Sequence, residues 1–453
     1  MNASWLLITV VIYVLVVAGV LFYALRIKGS RLSDPIVLFL GFLSLFTLPL
    51  PIRTCITEFP TGDVTPHLPS LLPYLPFAVL LCTLSLPWFV WGYYSGAAQK
   101  LGAKIWRPKT GNHYYLAFFV LTGVSLTLVA MLAGGDILHF VLLGYGSTAE
   151  TPGKGYLAIG LPGTSVAAMF LLCRYVAYRQ RRDLIFFVVV SLTLATFELI
   201  MGRRGEVMHM LVTTLIFWHY TIRRVSFKVV ALVGVITFVF LNEYGMVRSS
   251  RYESLSEFAQ RSSDNFGALR NDGGTTEAAV YTLTGGEFAV PFETFPQMIK
   301  SVGADFFPKF GMTYLRSPLF FIPSTLFPGR PEPMANWYMK QFYGSGWGFN
   351  EGRAFYFLSE GYLNFGPAGP LGVMLLWGVL LGAVHHYMRI SKGEPGAALL
   401  FALSLAFMPA AIAGDFSSVL VGLTENYLMA AIFGIWLTGR KRTLFRVQAA
   451  GLR

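Results

Sequence analysis

The sequence predicts an all-α polytopic membrane protein of about eleven transmembrane helices, with one large outer loop between the eighth and the ninth. Three observations carry this. Mean hydropathy is +0.58, and of the 453 residues 55% are hydrophobic and 13% charged, far from a soluble average. Apolar stretches of roughly 20 residues, the length that crosses the hydrocarbon core, recur along the chain. The cationic residues gather in the short loops between alternate stretches.

That last pattern decides what the net charge of +12 means. Arg26, Lys28 and Arg31 follow the first span, and Lys100, Lys104, Arg107 and Lys109 the third. Arg174, Arg179, Arg181 and Arg182 follow the fifth, Arg223, Arg224 and Lys228 the seventh, and Arg389 and Lys392 the ninth. Arg440, Lys441, Arg442, Arg446 and Arg453 close the chain. These are 21 of the 35 Lys and Arg, accompanied only by Asp34, Asp183 and Glu394 of the 23 acids. The basicity therefore reports topology, with those loops in the cytoplasm, and excludes a nucleic-acid partner.

The expected spans follow in order, with the N-terminus outside. Trp5–Leu25 is too long and lacks the basic start of a cleavable signal, so it is the first. Pro35–Ile52, Ser70–Tyr94, His113–Leu132, Tyr156–Cys173, Leu184–Met201, Val207–Tyr220 and Val229–Gly245 complete residues 1–246. Residues 247–366 form the large outer loop, and residues 367–453 hold Pro370–His386, Ala397–Ala413, Asn426–Leu437 and a cytoplasmic tail. The first outer loop carries Glu58, Asp63 and His67. The second, Gly134–Gly155, begins as a short helix lying on the membrane. Within the large loop a helix is expected over Phe292–Ser301, then a Pro-punctuated coil, then an aromatic run. Such chemistry suits a cap folded against the headgroups. Ser317–Phe327 is apolar enough to be re-entrant. Cys55, Cys82 and Cys173 have neither metal-ligand spacing nor a disulfide partner and read as filler.

The sharpest local signal is the hairpin MGRRGEV, Met201–Val207. Arg204 falls at a helix N-terminus, where free backbone N–H groups and the helix dipole favour an anion, and a guanidinium grips phosphate in two places. On the plainer reading, Arg203 and Arg204 are snorkelling side chains that stop a helix. Glu198 and His209 lie about a turn to either side, placed to orient an arginine or to move a proton. Glu243, Asp415 and Glu425 mark a polar rim at outer span ends. Arg353 and Glu360, seven apart, share a face if a helix joins them, and Phe355, Tyr356 and Phe357 between them fit a sugar-stacking or lipid-facing surface. Glu360 is a candidate general base for a sugar hydroxyl, or a salt-bridged helix end. Arg248, Arg251 and Arg316 offer further phosphate contacts. No P-loop, HExxH or metal-holding aspartate pair is present, and the cytoplasmic loops are too short for a nucleotide site. No cofactor is expected.

An arginine–glycine hairpin opening a mid-chain span, here Arg204-Gly205 with apolar Met208 after it, resembles the O-antigen and oligosaccharide repeat-unit polymerases of the Wzy type, relatives of the O-antigen ligases. So does a large outer loop ending in Glu360, Asn364, Phe365, Gly366 and Gly369. The stretch KFGMTYLRSPLFFIPSTLFPGRPEP resembles the middle of that loop, and the likeness covers most of Met201–His386. The ligases carry a histidine where this chain has Glu351, Gly352 and Arg353, which leans away from a ligase.

The resemblance implies a metal-independent glycosyltransferase of the GT-C class in the bacterial inner membrane, working at the periplasmic face. Its substrates would be glycans on undecaprenyl diphosphate, within membrane lipid. Arg204, Arg353 and Glu360 would act in catalysis, while Arg203, Arg248, Arg251, Arg316 and Asn364 would bind substrate. A chain-length regulator and a repeat-unit flippase are the protein partners it suggests. Competing readings are an O-antigen ligase, a polyprenyl-phosphate-dependent transferase using Glu58 and Asp63, and a flippase or transporter of lipid-linked sugars. A transporter would show pseudo-repeats and mid-membrane charge, which this sequence lacks.

Overall fold

The structure, a computed structural model, describes residues 3–31, 33–56, 68–142, 155–226, 228–229, 234, 286–323, 326–344, 354–391 and 393–439. Among the described residues it is helical, with one isolated bridge, Val302 to Phe306, as its only extended pairing. In chain order the helices are α1 Ala3–Phe22, α2 Pro35–Thr47, α3 Pro49–Ile56, α4 Leu68–Leu71, α5 Leu75–Tyr94, α6 Gly96–Lys104 and α7 Tyr114–Leu132. Then come α8 Ile137–Leu142, α9 Gly160–Tyr178, α10 Arg181–Ile200, α11 Arg204–Thr221, α12 Gly286–Ser301, α13 Met312–Leu315 and α14 Met334–Phe342. The last are α15 Phe357–Phe365, α16 Ala368–Ile390, α17 Pro395–Ala406, α18 Met408–Ile412, α19 Phe416–Val421 and α20 Met429–Leu437.

Among the described residues, eight helical segments are long and apolar enough to cross a membrane: Ser4–Ile27, Pro35–Ile56, Pro69–Tyr94, Tyr114–Leu132, Tyr156–Tyr178, Arg181–Ile200, Ala368–Ile390 and Phe416–Leu437. Each coincides with an expected span. The other three expectations fare differently. Val207–Tyr220 is the 18-residue α11, in which Glu206, His209 and His219 interrupt the apolar run. Ala397–Ala413 is broken at Phe407, just before the Met408-Pro409 pair that starts α18, since Pro409 has no N–H to continue the helical bonding and its ring crowds the carbonyl one turn back. Val229–Gly245 lies almost wholly outside the described residues. The last span starts at Phe416 instead of Asn426, because a wide π-type turn over Gly422–Leu428 carries the helix through the polar Thr424-Glu425-Asn426 run.

Close backbone packing joins α5 to α16. Gly92 faces Gly378, and Gly378 and Gly382 face the carbonyls of Phe89 and Tyr93; a Cβ on Gly378 would sit 2.2 Å from the Phe89 oxygen. Membrane helices have no hydrophobic drive to associate within lipid, so small residues that bring backbones together supply the contact.

The segment between α11 and α16 is built into this bundle. Helix α12 packs on α2, α3, α5 and α15, with Phe292, Glu293, Thr294, Phe295 and Met298 fully buried. Thr294 Oγ1 accepts from the Tyr356 N–H at 3.1 Å and pairs with the Ser359 hydroxyl at 2.8 Å. The Tyr356 hydroxyl meets Thr47 Oγ1 at 2.8 Å. A surface cap does not describe α12; farther along the segment Phe307, Phe310, Leu315 and Leu326 are strongly exposed. Cys82 and Cys173 are buried filler and, like Cys55, are free thiols.

Candidate functional site

Glu360 sits on α15, a nine-residue helix whose last carbonyls are capped from outside. The N–H groups of Lys309 and Phe310 donate to the carbonyls of Leu363 and Asn364, each at 3.0 Å. This docking holds Phe310 in the left-handed region, φ 48°, beside Gly311 at φ 84°, a conformation that costs a non-glycine residue about 1 kcal/mol or more. Asn364 ties the arrangement together. Its Oδ1 accepts from the Gly311 N–H at 2.9 Å, and its Nδ2 donates to Thr313 Oγ1 at 2.7 Å and to the Glu360 carbonyl at 2.8 Å.

The Glu360 carboxylate, 1% exposed, is held at both oxygens. Thr313 donates its hydroxyl to Oε1 at 2.6 Å, and the Phe416 N–H donates to Oε2 at 2.7 Å. Phe416 opens α19, whose N-cap is Asp415, so the carboxylate faces the positive end of a helix. Burial pushes its pKa up to about 7, aided by the nearby Asp415 charge and opposed by the Thr313 and Phe416 hydrogen bonds. Asp415 is committed to the Ser417 hydroxyl and to the N–H and hydroxyl of Ser418. Tyr314 stacks on Phe365 and meets Phe416 edge-on. Thr313 and Tyr314 are half-exposed, Phe416 and Ser418 are exposed, and so is Arg316, three residues on from Thr313.

The motif glycines have steric reasons to be there. Gly366 turns the chain at φ 59°, and a Cβ on Gly369 would lie 1.9 Å from the Gly361 carbonyl oxygen. Only this approach lets α15 fold back on α16.

The arginine hairpin forms a second cluster. Gly202, φ 71°, ends α10, with Gly202 N–H donating to Leu199 and Arg203 N–H to the Glu198 carbonyl at 2.9 and 2.8 Å. That pair of bonds is a glycine C-cap of the Schellman type. Arg203 then bridges two carboxylates, Glu198 at 3.1 Å and Glu206 at 3.0 Å. The Tyr427 hydroxyl donates to the other Glu206 oxygen, and the His209 ring packs on Tyr427 at a tilt of 35°, with ring centroids 3.8 Å apart. Arg204, buried, is the first residue of α11. The stretch Asp415–Tyr427 links this cluster to Glu360.

Of the sequence candidates, Glu360 and Asn364 share one network, Arg203 and Arg204 lie in the other, and Arg316 is on the surface near the first. Arg248, Arg251 and Arg353, with Glu58, Asp63, His67 and Glu243, lie outside the described residues. The helical phase proposed between residues 353 and 360 does not exist, because α15 starts at Phe357 and Tyr356 is extended. Phe355, Tyr356 and Phe357 are not a sugar-facing or lipid-facing surface; they are buried against α12, α2 and Trp337. Sequence reasoning missed Thr313, Glu206 and Tyr427, whose partners are brought to them only by the fold. Arg330 closes the Pro-rich coil, donating to the Phe320 and Ile322 carbonyls at 3.4 and 3.3 Å.

No family model matches the chain, and no curated protein or solved structure shows significant similarity to it.

Proposed function

We propose that this chain is a glycan polymerase working at the periplasmic face, on a scaffold of about eleven spans of the GT-C type in a bacterial inner membrane. It moves a glycan from a lipid diphosphate such as undecaprenyl diphosphate onto the terminal hydroxyl of a lipid-linked repeat unit. The anomeric carbon–oxygen bond to the diphosphate breaks, the bond to the acceptor oxygen forms, the acceptor proton passes to the enzyme, and the diphosphate leaves with the electron pair. The product is O-antigen or a related surface polysaccharide.

The observation that carries this reading is a buried carboxylate, Glu360, poised near neutral pH and hydrogen-bonded to the half-exposed Thr313. An acceptor O–H donating to Thr313 relays its proton to Glu360, which suits a base matched to the working pH. Arg204 at the start of α11, with Arg316 and the arginines at 248, 251 and 353, supplies positive charge for the leaving diphosphate. Arg203, held between two carboxylates, positions the hairpin. Asn364 holds Thr313 in line.

The test is elongation of lipid-diphosphate-linked repeat units by purified protein in detergent, without nucleotide or ion gradient and with EDTA present. Longer glycan in wild type and none in Glu360→Gln supports the reading. Movement of lipid-linked sugar across sealed vesicles without elongation overturns it in favour of a flippase.

A further inference from the structure

The opposite end of α16 carries a different piece of chemistry. This 23-residue helix is about 34 Å long, and it ends on the basic face in a cavity of about 310 Å³. The walls are the turn after the first span, the end of α5, the start of α6, Tyr220 at the end of α11, and the end of α16. Lys28, Arg31 and Arg389 stand at its exposed mouth. Its floor is polar: the Tyr93 hydroxyl meets His385 Nδ1 at 2.6 Å, and the Tyr94 hydroxyl meets Ser30 Oγ at 3.0 Å.

Cations at this membrane face are expected, so their commitments decide whether they form a site. The three acids of the basic loops are each tied up elsewhere or turned inward. Asp183 binds Arg174 and Tyr115, and Glu394 binds Thr110. Asp34, the one carboxylate lining the cavity, is buried; its Oδ2 accepts from the Arg31 backbone N–H at 2.9 Å and lies 3.7 Å from His385 Nε2. Among the described residues, Lys28, Arg31 and Arg389 have no carboxylate within ion-pair distance. The Lys28 ammonium instead lies 5.6 and 5.4 Å from the ring centroids of Tyr23 and Tyr94.

We propose that this cavity holds the phosphate headgroup of an anionic phospholipid from the adjoining leaflet, gripped by Lys28, Arg31 and Arg389. A phosphate supplies the negative charge the mouth lacks, and headgroup hydroxyls fit the tyrosine floor. Basic pockets between membrane helices bind lipid headgroups on this principle. The lipid, as opposed to a free anion, follows from the neighbouring surface. The span Ser4–Ile27 is the most apolar of the eight and only 28% buried, and its exposed Phe22 and Ile27 offer acyl chains a path from the cavity mouth along α1.

The experiment is titration of the full-length detergent-solubilised protein with phosphatidylglycerol, read by native mass spectrometry and by thermal shift. The double variant Arg31→Gln/Arg389→Gln should bind about 25-fold more weakly, roughly fivefold per charge removed, and lose the thermal shift. Arg26→Gln, a cation on the same turn but outside the cavity, should bind as wild type, and millimolar inorganic phosphate should not displace the lipid. Undiminished binding by the double variant overturns the proposal. So does an equal loss in Arg26→Gln, which would mean diffuse charge, or displacement by inorganic phosphate, which would mean a free-anion site.

Discussion

Glu360 accepts a hydrogen bond from the Phe416 backbone N–H at 2.7 Å, so a side chain of α15 closes the first turn of the last span. The same carboxylate takes the Thr313 hydroxyl at 2.6 Å. One group thus clasps three separate stretches of chain and is also the proposed base, and substitutions separate the two roles.

Glu360→Gln keeps one oxygen for the Phe416 N–H, and the Thr313 hydroxyl can rotate to accept from the new amide. The variant should therefore fold, with a melting temperature close to wild type, while elongation falls at least about 100-fold, the usual contribution of a general base. Glu360→Ala should lose both, since it strands the Phe416 N–H. Full elongation by the glutamine variant would leave the carboxylate as a clasp alone. Glycan length on gels and thermal unfolding in detergent give the two readouts.

The pH dependence has opposite signs for activity and stability. A base that titrates near 7 makes elongation rise with pH through about that value. Its folded pKa lies above the ordinary carboxylate value, so the folded state prefers the protonated form. The stability from this group is present below about pH 4.5 and declines as pH rises toward 7, by on the order of 3 kcal/mol. Thermal unfolding across that window should be flatter in Glu360→Gln than in wild type.

Arg204→Ala should abolish polymer while leaving the protein in the membrane, and Arg204→Lys should restore little, because lysine keeps the charge but not the planar fork that grips two phosphate oxygens. Polymer of normal length from the alanine variant would reduce the hairpin to a helix stop.

Gly378→Leu should destabilise the bundle by about 3 kcal/mol or more, since its side chain must enter the space of the Phe89 carbonyl. Gly372→Leu on the same helix has open space around it and should be nearly neutral. Thermal unfolding of the two variants makes the comparison.

Sidedness follows from α16 separating Glu360 from Arg389. Cysteines at Arg316 and Arg203 should react with an impermeant reagent from outside, and those at Lys104, Arg181 and Arg389 only from the cytoplasm. The reverse pattern would remove the proposed reaction from the outer face.

The spans were legible because a run of about 20 apolar residues has few alternatives. The start of the last one was not, since a π-type turn that absorbs Thr424, Glu425 and Asn426 leaves no mark in hydropathy. Glu198 beside Arg203 was readable from helical spacing. Thr313 lies 47 positions from Glu360 and Tyr427 lies 221 from Glu206, distances over which no local period carries information. Phe355, Tyr356 and Phe357 misled for another reason. Aromatics are as frequent at the membrane interface as in a core, and only the buried position of α12 decides between them.

The Thr47–Tyr356 hydrogen bond spans 309 positions of chain. At 5–20 residues per second, the ribosome needs roughly 15–60 s to deliver the second partner after the first. Throughout that interval the early helices stand in the bilayer with a gap where α12 and α15 belong. Biogenesis of this protein is therefore ordered, with an incomplete intermediate exposed to the quality-control proteases of the membrane until translation passes the Glu360–Phe416 clasp.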